Sequence, residues 1–460
     1  MKQITTYQNQ KVLVLGLAKS GEQAARLLKK LGALVTANDA KPFDDNPAAK
    51  SLVDAGIRVI AGSNPLSLLD EDFALIVKNP GIPYDNSLIK AAQASNIPII
   101  TEVELAAQVN EALLIGVTGT NGKTTVTTMI TQMLNQHRTL GQAKFAGNIG
   151  VPATEVVQTL GKDDVMVTEL SSFMLAGIKT LHPHIAVITN MYTAHTDWHG
   201  SREAYVAAKM NITKNQTPDD FLIMNWDLPE QRQLAQQSRA TVITFSQKGA
   251  PQTDAYVAND QLMWRGEVIM PIDQLAVPGE QNVANALAAL AAAKMAGTSN
   301  AAIADALRAF TGVRHRLQYV MTYQQRQVYN DSKATDIEAT QVALRGFQQP
   351  VILLAGGLDR GFTFDRLVPD FKAHVKAVVL FGQTQALLAD VAKQAGIQTI
   401  RFAKDAPAAV PMAFELSEPG DVILLSPANA SWDQFPSFEV RGDQFIDAVE
   451  AYTNQKEQHV

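Results

Sequence analysis

The chain of 460 residues contains no cysteine. Disulfides and thiolate metal sites are therefore excluded, and secretion gains no support. No apolar run approaches the roughly 18 residues that a spanning helix needs. The opening "MKQITTYQNQ" is polar and has no apolar core of signal-peptide length. A cytoplasmic location without membrane insertion is the resulting expectation. Positive charge is not in excess either. The net charge is −6, so no global positive field draws in nucleic acid or an acidic surface. Any anion must be held by a local site. Low-complexity linkers and short repeats are also missing.

What is present fits a globular protein with several cores. Hydrophobic residues make up 46% and charged residues 18%, the balance of an ordinary folded chain. At roughly 100–200 residues per domain, this length predicts two to four domains. The first part reads strand, glycine turn, helix, strand: "KVLVLGLAKSG", "EQAARLLKKLG" stopping at Gly32, and "ALVTAND" ending in Asp39. Continuous apolar runs of this kind suit parallel strands buried on both faces. A second unit starts at "ALLIGVTGTNGKTT", with later strands "DVMVTEL", "HIAVITN", "FLIMN" and "ATVITFS". The β-rich patch "AYVANDQLMWRGEVIM" and two Ala-rich helices close it. A third unit carries "QVYND", "PVILLAGG", "AVVLFG", "QTIRFA" and "DVILLSPA". The expected fold is α/β: three domains in series, over 1–105, 106–312 and 313–460, each a Rossmann-like or P-loop-like, mostly parallel sheet with flanking helices.

Two glycine turns carry chemistry. Gly16-x-Ala18-x-x-Gly21, with Asp39 ending the next strand, reads either as a dinucleotide fingerprint for NAD or as a generic strand–helix turn. The loop Gly116–Thr125, "GVTGTNGKTT", resembles a phosphate cradle with shifted spacing. The strict pattern wants glycine at 117, where Val117 stands. Its glycines let backbone amides converge on an anion, and the following helix adds partial positive charge. Lys123 suits terminal phosphates, and the Thr124 hydroxyl suits magnesium.

Other candidates lie downstream. Glu169 ends a strand on the side where such sheets bind ligands. Four of the eight histidines fall between 182 and 199. His195 and His199 read either as a zinc pair or as one polar histidine near a phosphate site, on a stretch without helical pattern. Lys209 reads as an ordinary helix lysine. Asn282 and Asn285 share a helix face. Asp331, Lys333 and Thr335 alternate, so an extended backbone would project them together. Arg314, His315 and Arg316 sit at a junction suited to gripping anions. The polar loop "SPANASWDQFPSFEVRG" follows the strand "DVILL". These residues leave a nucleotide-driven switch and an NAD oxidoreductase open.

Taken together, "GTNGKTT", "ELSSF", the histidine of "NMYTAHTDWHG", "AYVAAKM", "NVANALAA", "HR", "NDSKAT" and "SPANASWDQF" resemble the Mur ligases in content and order. The resemblance runs from Gly16 to Arg441. Those enzymes use ATP to build the peptide stem of bacterial peptidoglycan. The last two stretches resemble the members that join D-glutamate to UDP-N-acetylmuramoyl-L-alanine through an acyl phosphate. In this family the G-x-x-G-K-[ST] spacing is regular. A folylpolyglutamate synthase is the nearest alternative, but Lys123 runs straight into Thr124 with no intervening glycine.

The resemblance implies a role for each matched residue. Gly119, Thr120, Asn121, Gly122, Lys123, Thr124 and Thr125 hold ATP, with Asn282, Asn285, Arg316, Asp331 and Thr335. Thr124 and Glu169 hold one Mg2+; His195 serves a second. Lys209 carries a carbamate that orients metal. Lys123, His195, Lys209 and Lys333 are the catalytic set. Lys333, Arg360, Ser431 and Phe438 surround D-glutamate. Ala18, Lys19, Ser20, Asp39, Asn79, Gly81, Asn148 and His195 hold the UDP substrate, in place of NAD. Met174 stands where the family has a glutamine, and Ala194 where an acidic residue is common. A monomer that closes on its substrates is expected.

Overall fold

The computed structural model describes residues 1–249, 252–277 and 279–458. Three sheets follow one another along the chain. The first contains β1 (Lys11–Leu15), β2 (Leu34–Asp39), β3 (Arg58–Ala61), β4 (Leu75–Lys78) and β5 (Ile99–Thr101). Its order is β3-β2-β1-β4-β5, all parallel. The second contains β6 (Leu113–Thr118), β7 (Ala143–Gly147), β8 (Val165–Glu169), β9 (Ile185–Ile188), β10 (Phe221–Asn225), β11 (Thr241–Ser246), β12 (Ala255–Ala258), β13 (Gln261–Trp264) and β14 (Glu267–Pro271). Its order is β14-β13-β12-β11-β10-β9-β6-β8-β7, with an antiparallel meander at the β12–β14 edge. The third contains β15 (Gln318–Tyr323), β16 (Arg326–Asn330), β17 (Val351–Gly356), β18 (Val375–Phe381), β19 (Thr399–Phe402) and β20 (Val422–Leu425). Its order is β15-β16-β20-β17-β18-β19, parallel except for the β15/β16 pair.

The apolar runs become strands because both faces of each sheet are covered. On β1, Val12 and Val14 pack with Leu27 and Leu28 of the helix Lys19–Lys30. Leu13 and Leu15 point the other way, onto Leu88 and Ile89. On β17, Val351 and Leu353 enter one core while Ile352 and Leu354 enter another. A strand with period-two side chains has no polar face when both sides are buried, so its sequence does not alternate.

Residues Met1–Gln274 with Val283–Arg308 form one compact unit, and Leu275–Asn282 with Ala309–Val460 form another. The first two sheets thus share a unit. The helix Glu102–Val109, which spans the expected 105/106 boundary, is bolted to the second sheet's loops by two buried carboxylates. Glu102 accepts from the backbone and hydroxyl of Thr154. Glu104 accepts from the backbone N–H groups of Lys179, Thr180 and Leu181. Three strands, β3, β7 and β15, were not legible as apolar runs. All three are edge strands, and β7 is "AKFAG", poor in β-branched residues.

Candidate active site

The phosphate-type loop joins β6 to the helix Lys123–Asn135. Val117 lies inside β6, fully buried, paired with Glu169 and Val187 on its two neighbours. The positions that need glycine come later. Gly119 has φ 146° and Gly122, the helix N-cap, has φ 79°. A Cβ at Gly119 would overlap Thr189 Oγ1, and one at Gly122 would overlap Asn285 Oδ1. Asn285 therefore touches the loop at the position its glycine leaves open. Gly122→Ala is expected to cost about 1–3 kcal/mol of local strain and to weaken nucleotide binding at least tenfold, measured by titration with an ATP analogue.

The loop is fastened from one side. Asn190 accepts from Thr120 N through its carbonyl at 3.0 Å, and from Asn121 N through Oδ1 at 2.8 Å. Thr189 donates to Asn121 O at 2.6 Å, and the Thr120 hydroxyl lies 2.8 Å from the Tyr205 hydroxyl. Lys123 Nζ lies over the loop, donating to Gly119 O at 3.0 Å and Thr120 O at 2.7 Å. Thr124 and Thr125 are buried at the helix start.

Three further residues converge here. Glu169 ends β8 beside β6 and is 1% exposed. Its Oε1 accepts from Asn148 Nδ2 at 2.8 Å, while its buried Oε2 has no partner. Lys209 is 2% exposed and donates from Nζ to Gly119 O at 2.7 Å. Burial, and then the Lys123 ammonium, push its pKa down to about 6, against the opposing pull of Glu169. Helical spacing alone gave Lys209 a surface reading; the helix Arg202–Met210 instead turns it under the loop.

The two histidines both pack on Phe173 and Tyr205. His195 is exposed, with φ 52° and its ring 5.0 Å from that of Phe173. The next residues form one helical turn, Thr196–His199, where no helical pattern was legible. His199 Nε2 lies 2.9 Å from Ser172 Oγ, and its ring stacks on Phe173. Among the described residues, no three histidine or carboxylate groups gather as a metal site. The zinc-pair reading therefore finds no third ligand among the described residues. Met174 is buried in the core of this unit, and its carbonyl accepts from Thr101 Oγ1 at 3.1 Å.

In the first sheet, a cavity of about 250 Å3 opens at the carboxyl ends of β1 and β4, where the strand order reverses. Gly16, Ala18, Asp39 and Asn79 line it. Asn79 Nδ2 donates to Ser20 Oγ at 3.1 Å, and Asn79 Oδ1 accepts from Gly81 N at 3.0 Å. Asp39 spends both oxygens on backbone N–H groups, of Leu17 and Lys41. Lys19 is exposed at the helix start.

The second unit gathers the remaining candidates. Residues 331–335 form a turn, with Ala334 N donating to Asp331 O at 2.9 Å, so the expected extended alternation is not present. Asp331 points inward: Oδ2 accepts from Ser426 Oγ and Oδ1 from Leu317 N. Burial pushes its carboxyl up to about 7, although the Ser426 bond and Arg316 oppose this. Lys333 lies over the Phe438 ring at 5.6 Å, and Arg360 donates to Thr335 O at 2.7 Å. Ser431 is buried and its hydroxyl has no partner. Beneath them Arg441 is fully buried, bridging Ser332 and Asn429. Sequence reasoning passed over Arg441, Tyr205 and Asn190. Only Asn190, a polar residue just past an apolar strand, carried a local signal.

Three family models match the chain. They are Mur ligase MurD-like, N-terminal domain, over 10–101; Mur ligase middle domain, over 117–293; and Mur ligase, glutamate ligase domain, over 315–429. A curated protein of Lactiplantibacillus plantarum, UDP-N-acetylmuramoylalanine–D-glutamate ligase, is 59% identical over all of both chains. The chain belongs to the Mur ligase family. The protein of the same description from Enterococcus faecalis is 57% identical, over 98% of each chain. Among solved structures, the Mur ligase MurC of Thermotoga maritima aligns with TM-score 0.61 at 19% identity, covering 96% of this chain and all of its own. MurF of the same organism, solved with ADP, aligns with TM-score 0.57 at 16% identity, covering 98% and 96%. These two share the fold. The regular Mur ligase spacing of the loop now has a structural reason: Val117 belongs to a strand, and Gly119 and Gly122 stand where φ is positive.

Proposed function

We propose that this Mur ligase joins D-glutamate to UDP-N-acetylmuramoyl-L-alanine at the expense of ATP, in peptidoglycan synthesis. The observation that carries this reading is the meeting of Glu169, Asn148 and Lys209 at the 119–124 loop. A strand-end carboxylate beside such a loop also serves nucleotide hydrolysis; the buried amine of depressed pKa is the part that a loop for a nucleotide alone does not need.

The chemistry follows from a carboxylate being a poor acyl donor. One oxygen of the L-alanyl carboxylate attacks the γ-phosphorus of ATP, the bond to the β-bridging oxygen breaks, and ADP leaves. The D-glutamate amine, having lost a proton, then attacks the acyl carbon, and inorganic phosphate departs as the amide forms. Lys123 and the loop amides neutralise the phosphates, and positioning does most of the work.

The donor set suits magnesium: hard oxygens from Thr124 and Glu169, with Glu169 Oε2 making no hydrogen bond. Two bound ions would draw charge off the phosphoryl and carboxylate oxygens. His195 is the proposed donor to the second. A Lys209 that sheds its proton near pH 6 is a neutral nucleophile at neutral pH. Its nitrogen can add to CO2, releasing one proton and leaving a carbamate.

The first-sheet cavity, with Ala18, Lys19, Ser20, Asp39, Asn79 and Gly81 at or near its rim, is proposed for the uridine diphosphate end. Asn282, Asn285, Arg316, Asp331 and Thr335 are proposed for ATP, and Lys333, Arg360, Ser431 and Phe438 for D-glutamate. We assign the division at 105/106 and 312/313 to these three tasks, in a monomer acting in the cytoplasm. No helix among the described residues is long and apolar enough to cross a membrane.

The test supplies UDP-N-acetylmuramoyl-L-alanine, ATP and magnesium, then single amino acids. Phosphate release should depend on D-glutamate and yield a product heavier by one glutamyl unit. Equal release without an amino acid would identify a nucleotide hydrolase instead.

A further inference from the structure

The first unit buries a second lysine besides Lys209, and it is Lys78. It is the last residue of β4 and is 1% exposed. Its Nζ donates back to its own following loop, to Ile82 O at 2.8 Å and Pro80 O at 3.4 Å. The ammonium also lies 4.5 Å from the centre of the Tyr84 ring and 5.7 Å from that of Trp198. Burying a charge on carbonyls and ring faces is costly. A methionine of similar length would fill the space more cheaply, so packing alone does not explain the residue.

Its location suggests what the charge does. The loop 79–84 has two sides. Asn79 and Ile82 line the first-sheet cavity on one side. Lys78 ties the other side to Trp198, which belongs to the helical turn Thr196–His199 that follows β9 of the second sheet. Trp198 is three residues past His195 and packs on Phe173 at 4.7 Å; Phe173 in turn packs on His195 at 5.0 Å. Tyr84 meets Trp198 edge-on at 6.1 Å, and its hydroxyl occupies space that the missing side chain of Gly177 leaves free. One cation thus joins the wall of the cavity to the segment that carries His195.

We propose that Lys78 is a positioning residue that sets the spacing between the first-sheet cavity and the His195 segment, so that a substrate anchored in the cavity presents its carboxylate in register with the 119–124 loop. The proposal rests on the function given above. It concerns a substrate with two distant ends: a nucleoside diphosphate held at one sheet and a reacting carboxylate at another. Such a substrate reacts only if the two anchor points keep their distance, and a misplacement of about 1 Å can cost on the order of 10²-fold in rate. The loop 79–84 needs a strong tether because its prolines, Pro80 and Pro83, cannot donate backbone hydrogen bonds.

The experiment compares wild type with Lys78→Met in three measurements: binding of UDP alone by calorimetry, KM for ATP, and kcat with the complete substrate. UDP affinity and the ATP KM should stay within about threefold, because Lys78 does not itself line the cavity or belong to the 119–124 loop, while kcat falls about 10²-fold. Trp198→Phe should show the same split more weakly, and the double variant should be no slower than Lys78→Met alone. A kcat for Lys78→Met within threefold of wild type would overturn the proposal. So would parallel losses of UDP affinity and kcat, which mark a damaged fold. Should Lys78→Met not fold, an unchanged kcat in Trp198→Phe overturns it equally. A wild-type protein without D-glutamate-dependent turnover would instead overturn the function, and the positioning role with it.

Discussion

Lys209→Ala is expected to lower kcat by about 10³-fold, the scale seen when one preorganised charge-stabilising group is removed. The reason is its surroundings. Lys209 Nζ is buried against Gly119 O at 2.7 Å, and burial and Lys123 bring its pKa to about 6. At neutral pH the amine is uncharged and can take up CO2. Wild-type protein prepared with bicarbonate should therefore show one added CO2 by intact mass under native conditions, and Lys209→Ala should not. Activity should rise with bicarbonate in wild type alone. An unmodified Lys209 in a fully active enzyme would rule out this role.

The same pKa has a stability consequence with a definite sign. Between about pH 6 and 10.5 the unfolded chain keeps a proton on this lysine that the folded chain has shed. The unfolded state binds more protons there, so stability rises with pH through that window for this group. Lys209→Met should remove that rise, read as a flatter pH dependence of the urea midpoint.

Glu169→Gln should lower kcat by about 10²- to 10³-fold and raise the magnesium concentration needed for half-maximal rate by about tenfold. The substitution keeps shape and an acceptor for Asn148 Nδ2, but removes the charge beside the unpartnered Oε2. Nucleotide binding without metal should be nearly unchanged, since the loop amides and Lys123 remain. Steady-state rates across a magnesium titration check this. Activity within threefold of wild type at equal magnesium would show that Glu169 serves only to hold Asn148.

Much of this was readable from residue order because the buried parallel strand leaves a plain signature. Both faces of β1 and β17 are covered and β6 is buried from Leu114 to Thr118, so their runs are largely apolar. The loop was readable for a related reason: positive φ at Gly119 and Gly122 admits few other residues. The edge strands β3, β7 and β15 escaped because each carries only a short or interrupted apolar run, "RVIA", "AKFAG" and "QYVMTY". The turn 331–335 escaped because its geometry comes from contacts such as Lys333 N to His315 O, which alternating residue types do not reveal.

The sequence by itself determined the α/β class, the succession of three sheets, the phosphate-type loop and the family. Each rests on local patterning or on a motif whose backbone conformation dictates its residues. Only the tertiary structure decided which polar residues share a site. Lys209 became a buried amine, and Lys78 a buried tether, because other chain segments close over them. A titratable group's charge depends on what surrounds it in space, and a helical lysine or a strand-end lysine looks the same in sequence whether water or a second sheet lies beyond it.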